Sequence, residues 1–190
     1  YYYECDPEID SEQKGRDFWL FSYFGNGMNV KDIAILKYKN IHGDYLIFER
    51  SKTERSLRTD PKPITVFITD DMKVIIERWS NKDKSANNFI FPILEPGITP
   101  LRQYELILLF ISFINNWMKK IMKELSIDKK ATTYVARHSF STILKRSGAS
   151  TEYIQEALGP ADVKTPQNYL GSCDKEGKNE CAQRRTSLKG

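Results

Sequence analysis

The chain is poor in the residues that build metal centres and disulfide frameworks. Among 190 residues there are three cysteines and two histidines. Cys5, Cys173 and Cys181 form no C-x-x-C pair, and His42 and His138 lie far apart. A zinc site is therefore not expected, and the odd cysteine count with long spacings fits a reducing compartment. Long apolar runs are missing too. The longest, 106–114, is broken by Ser112 and reaches only about half the length that spans a bilayer, so it reads as a core helix. The opening YYYECDPEID is acidic and polar, unlike a secretory signal. No methionine begins the chain, which reads as an excised fragment. No repeat, low-complexity tract or linker of domain-boundary quality interrupts it, so residues 1–190 are expected to form one domain with a polar tail at 171–190.

What is present is ordinary for a globular protein that buries a real core: 40% hydrophobic and 28% charged residues. The net charge of +4 is a mild basic bias, compatible with a nucleic-acid partner. Apolar periodicity predicts helices over 11–24, from Asn29 for about two turns, over 70–79, over 102–125, from Thr132 or Thr133 to Lys145–Arg146, and over 151–158. Asn29 reads as an N-cap with Asp32 as a weak capping-box partner, and Val30, Ile33 and Leu36 are expected inside. In the third helix Val74 and Ile75 are expected inside. Segments 45–50 and 64–68 read as strands of a small antiparallel sheet, joined by a long polar, basic loop. The expected class is mostly α with a small antiparallel β-sheet (α+β).

Several segments carry a resemblance together. They are Gly27-Met28-Asn29-Val30; the strand pair ending in Ser51-Lys52-Thr53; Thr132–Thr142 around Tyr134, Arg137 and His138; Gly148-Ala149-Ser150 with Leu158-Gly159; and Lys164-Thr165-Pro166-Gln167-Asn168-Tyr169-Leu170. In this order, over roughly residues 15–172, they resemble the catalytic domain of tyrosine recombinases, the phage-type integrases. Within that family the likeness is to integrases of Bacteroidetes mobile elements. The resemblance implies DNA strand cleavage and rejoining through a 3′-phosphotyrosyl intermediate. A tyrosine attacks a phosphodiester, two arginines clamp the phosphate, and a hairpin lysine protonates the departing 5′ oxygen. It implies no metal or nucleotide cofactor. The partner is double-stranded DNA, on which copies of the chain assemble, as a tetramer in the synaptic complex. The isolated domain is expected to be monomeric without DNA and to bind it weakly, because the family's N-terminal DNA-clamping domain is not recognisable here. A bacterial cytoplasmic, nucleoid-associated location and no membrane follow from the same likeness.

Residue by residue, the resemblance assigns Tyr169 as nucleophile, Arg137 as the second arginine and Lys52 as the hairpin lysine. Tyr134 stands where a histidine is usual, three residues before Arg137 and so on one helix face with it. A phenol can donate a hydrogen bond there but is a poor base at neutral pH. Asn29 stands where the first arginine is usual, Asn26 in the alternative slot of related integrases, and Pro160, with neither side-chain donor nor N–H, where a second histidine is usual. Arg16 is the nearest candidate to fill the arginine vacancy. His138, adjacent to Arg137, points about 100° away and reads as a packing residue. Beyond the centre, Lys129, Lys130, Lys145 and Arg146, with no acid between 129 and 146, and Arg50 and Arg55 in the hairpin loop, suit phosphate contacts. The Trp117–Lys123 run reads as core edge with solvated lysines. Two readings stand at this point: a working recombinase, and an impaired homologue that binds DNA or partner protomers without cutting. A generic helical DNA-binding domain would not explain the order of the segments.

Overall fold

The computed structural model describes residues 7–49 and 63–158. Six helices and one small sheet follow in the order α1 (Pro7–Phe24), α2 (Val30–Ile35), a short 3₁₀ turn, β1 (Ile41–His42), β2 (Tyr45–Phe48), β3 (Ile64–Phe67), α3 (Asp70–Trp79), α4 (Pro100–Glu124), α5 (Thr133–Arg146) and α6 (Thr151–Leu158). The α+β expectation holds, and the predicted helices return within a few residues of their bounds.

The centre is α1. Its last two turns carry aromatic residues on every side, a pattern that suits a helix packed from several directions. It contacts α4, α5 and α3. Phe18 and Phe21 are fully buried and meet the ring of Phe91 edge-on at 4.8 and 5.2 Å, while Phe110 of α4 closes on Phe18 at 4.8 Å. Gly15 lets α1 and α4 touch: a β-carbon there would lie 2.6 Å from Cβ of Trp117.

The sheet has the order β1-β2-β3, antiparallel throughout, with Leu46 opposite Val66 and Phe48 opposite Ile64. The two-residue β1 was not expected; it is too short to carry an alternating pattern. Alternation is clear in β3, where Ile64 and Val66 are buried and Thr65 and Phe67 face outward.

Three local expectations are corrected. Val74 is exposed, and Met72 with Ile75 makes the buried stripe of α3. Asn29 occupies the N-cap position of α2 but makes no side-chain cap bond, and Asp32 is buried in the core layer instead of closing a capping box. Thr69, Thr99 and Ser150 act as side-chain caps, accepting from the N–H groups of Met72, Arg102 and Tyr153. A left-handed glycine stops α5: Gly148 has φ +84°, and its N–H reaches the Lys145 carbonyl.

Candidate active site

The site is built where the turn after α1 meets α5 and the end of α6. Leaving α1, the chain turns through two left-handed residues, Asn26 (φ 57°) and Gly27 (φ 63°). The N–H of Met28 then donates back to the Ser22 carbonyl at 3.0 Å, and the Ser22 hydroxyl donates to the Met28 carbonyl at 2.6 Å. This fixed turn presents the bare α-carbon and carbonyl of Gly27 to α5.

Arg137 lies against it, 5% exposed. Its Nη1 donates to the Gly27 carbonyl at 2.6 Å and its Nη2 to the Leu158 carbonyl at 2.8 Å. A β-carbon on Gly27 would come within 3.0 Å of both Cα and Cγ of Arg137. Segments 110 and 21 residues from Arg137 in sequence are thereby joined to α5 on one guanidinium. A guanidinium keeps its charge in any protein setting, and burying a charge is costly unless hydrogen bonds satisfy it. Here the backbone supplies those bonds, which fixes the cation in place. A fixed, partly desolvated cation suits a developing negative charge.

The other assigned positions fall into three groups. Tyr134 is described but is not on the buried side with Arg137. It is 61% exposed, and its ring stands edge-on to His138 at 4.0 Å. An i,i+3 pair is separated by about 60° around the helix, and the edge of the α1–α5 contact falls between these two residues. His138 packs on this ring, in line with a packing role.

Arg16 does not fill the arginine vacancy. Its guanidinium donates to Asp17 at 3.3 Å, at the middle of α1. The Asn26-Gly27 turn lies beyond Phe24, eight residues or about 12 Å along the helix axis. Asn29 itself is exposed. Tyr169, Lys52, Pro160, Arg50 and Arg55 lie outside the described residues. The strands that lead into the Lys52 loop are described, and β3 contacts α6, whose last carbonyl holds Arg137.

The basic residues of 129–146 do not form one patch. Lys129 and Lys130 are exposed in the loop before α5. Arg137 is interior. Lys145 and Arg146 sit in the last turn of α5, at the favourable negative end of its dipole. The 14-residue helix puts these ends about 20 Å apart.

Sequence reasoning missed a buried carboxylate. Asp17 of α1 is 3% exposed and accepts from Nη1 of Arg78, from Nε1 of Trp79 at 2.9 Å and from Arg16. It ties α3 to α1. Its only sequence signal is one acid within an otherwise aromatic stretch. The cradle role of Gly27 was missed as well, although Asn-Gly is a recognisable left-handed turn pair.

A sequence model of the phage integrase family matches residues 20–176. The tyrosine recombinase XerD of Halalkalibacterium halodurans is 44% identical over 152 residues, which are 77% of this chain and 46% of that protein. The tyrosine recombinase XerC of Pediococcus pentosaceus is 22% identical over 180 residues, 88% of this chain and 53% of that protein. The chain thus spans about half the length of the curated relatives it matches. Among solved structures, XerA recombinase superposes with a TM-score of 0.57 at 18% identity, covering 93% of this chain and 63% of that one. The Tn1549 transposon integrase in complex with circular intermediate DNA gives 0.57 at 15% identity, covering 93% and 59%. These two likenesses establish the fold.

Proposed function

Because the chain belongs to the phage integrase family, we propose that it is the catalytic domain of a site-specific DNA recombinase that cuts and rejoins strands through a 3′-phosphotyrosyl link. The observation that carries this reading is Arg137, pinned between the carbonyls of Gly27 and Leu158, so that three of the resembling segments converge on one buried cation. In the proposed reaction the Tyr169 hydroxyl gives up its proton to water, and its oxygen attacks phosphorus and forms the phosphotyrosyl bond. The bond from phosphorus to the 5′ oxygen breaks, and that oxygen leaves as a hydroxyl with a proton from Lys52. Arg137 holds the negative charge that builds on the non-bridging oxygens. Religation is the reverse reaction with a new 5′-hydroxyl. The phosphotyrosine conserves the bond energy, so the cycle draws on no cofactor.

Double-stranded DNA is the substrate, and copies of the chain assemble on it, as a tetramer when two sites are synapsed. The setting is nucleoid DNA in a bacterial cytoplasm. Lys129, Lys130, Lys145 and Arg146, with Arg50 and Arg55 of the hairpin loop, supply backbone contacts that position the duplex without reading its sequence. Arg16 is engaged by Asp17 and Asn29 is uncharged, which favours slow cleavage.

Covalent trapping tests the reading. The full-length protein is mixed with nicked DNA from the ends of its element and then denatured. An adduct that survives, and that Tyr169→Phe abolishes, is the expected result. An adduct that persists in Tyr169→Phe would overturn the assignment of the nucleophile. No wild-type adduct, together with one in a Tyr134→His, Pro160→His double variant, would establish an impaired homologue on an intact scaffold.

A further inference from the structure

The C-terminal half of α4 and the loop 125–132 enclose a cavity of about 770 Å³. Lys119 and Lys123 line it from the helix, and Lys129 and Lys130 from the loop, with Asp128 the one acid among the lining residues. All four lysines are exposed, and none is in an ion pair among the described residues. Lys119 and Lys123 are an i,i+4 pair of like charge, an arrangement that by itself disfavours a helix. Their neighbour Lys120 is used differently: its ammonium lies over the Trp117 ring at 4.7 Å. The run read from sequence as a core edge with solvated lysines therefore divides into one packed lysine and two that face a concavity.

The loop is built to bring the second pair of lysines alongside the first. Ser126 adopts φ +54°, unusual for a residue with a side chain. The Ile127 N–H returns to the Met122 carbonyl at 2.9 Å, so the chain doubles back along α4. Its far end is fastened at two points. The Thr132 carbonyl accepts from Nε1 of Trp19 on α1 at 2.9 Å, and the Thr133 N–H donates to Oδ1 of Asn115 on α4 at 2.9 Å. Arg137 follows four residues after Thr133, about 6 Å along the axis of α5.

We propose that this cavity is a clamp for DNA backbone phosphates flanking the cleavage point, with Lys119 and Lys123 as phosphate-binding residues in addition to Lys129 and Lys130. The inference rests on the recombinase reading and deepens it. The polyanion most concentrated in phosphodiesters is the substrate itself, and four lysines from two elements match its charge. Because the loop is fastened to α1 and α4 next to Arg137, phosphates held there sit at a set distance from the arginine. The clamp thus acts as a positioning device for the scissile phosphate.

The test is equilibrium binding of the full chain to a duplex over a range of salt concentrations. Both helix lysines are exposed, and alanine is the better helix former, so Lys119→Ala/Lys123→Ala keeps the fold. The slope of log K against log salt should become shallower by about 1.8, the loss of two phosphate contacts, with affinity lowered equally for duplexes of different sequence. A control, Lys82→Ala/Lys84→Ala in the loop after α3, should leave the slope unchanged. Slopes that coincide for wild type and Lys119→Ala/Lys123→Ala, or a change no larger than the control's, would overturn the clamp whatever the adduct yield. A wild-type protein that binds duplex with the steeper slope yet never forms the Tyr169 adduct would overturn the recombinase reading and leave the clamp standing.

Discussion

Replacing Gly27 with alanine probes the junction on which the site depends. Two costs are worked from the structure. The backbone at φ +63° is left-handed, which costs a residue with a β-carbon about 1–2 kcal/mol. The added carbon also lies 3.0 Å from Cα and Cγ of Arg137, and relieving such an overlap in a packed interior costs about 1–3 kcal/mol. Alanine restricts the unfolded chain and returns about 0.4–1 kcal/mol. The expected net loss is about 1–5 kcal/mol, a large share of the roughly 5–15 kcal/mol that holds a domain together. Gly43→Ala is the matched control: its φ is +58°, but nothing lies within 4 Å of the added carbon. It bears only the backbone cost, so its net loss should be about 1 kcal/mol. Urea unfolding of both variants measures the difference, which isolates the contact with Arg137. The same shift would move the Gly27 carbonyl off Nη1, and adduct formation should fall about 10- to 100-fold, since small misplacements near the reacting centre are that costly. Equal unfolding midpoints for the two variants would refute the claim that Gly27 is a cradle for Arg137.

Two more substitutions test other joints. Asp17→Ala removes the acceptor of Arg78, Trp79 and Arg16. Arg78 is one-third exposed and can turn to water, so the loss should be near the low end for a broken buried pair, about 2–3 kcal/mol; denaturant unfolding checks this, and an unchanged midpoint would show that α1 and α3 are held by apolar contacts alone. Asn29→Arg restores a cation at the N-cap position of α2 without losing a side-chain cap bond, because Asn29 makes none. Adduct yield with nicked DNA should rise about 100-fold, the effect of one oriented donor at a reacting centre, and no rise would mean that this position does not face the phosphate.

The class, the bounds of most helices and the antiparallel hairpin were legible from local information. Turn residues such as Asn26-Gly27 and Gly148 and the β-branched run at 64–68 each act within a few residues, and their physics is present in the linear chain. The same holds for the order of the resembling segments, which is a property of the sequence itself. Val74 was misplaced because a period of 3.6 selects a stripe only once the neighbouring element is known, and here Met72 and Ile75 meet the core. The use of the charged groups depends on contacts between distant segments. Of the cations between 129 and 146, one is buried by α1 and α6, two line a cavity with α4, and two end a helix 20 Å away. Arg16 is held by Asp17, and Tyr134 turns to His138. An ionised side chain takes its role from the partners and the solvent that reach it. Those come from segments up to 110 residues away, a separation that no local pattern encodes.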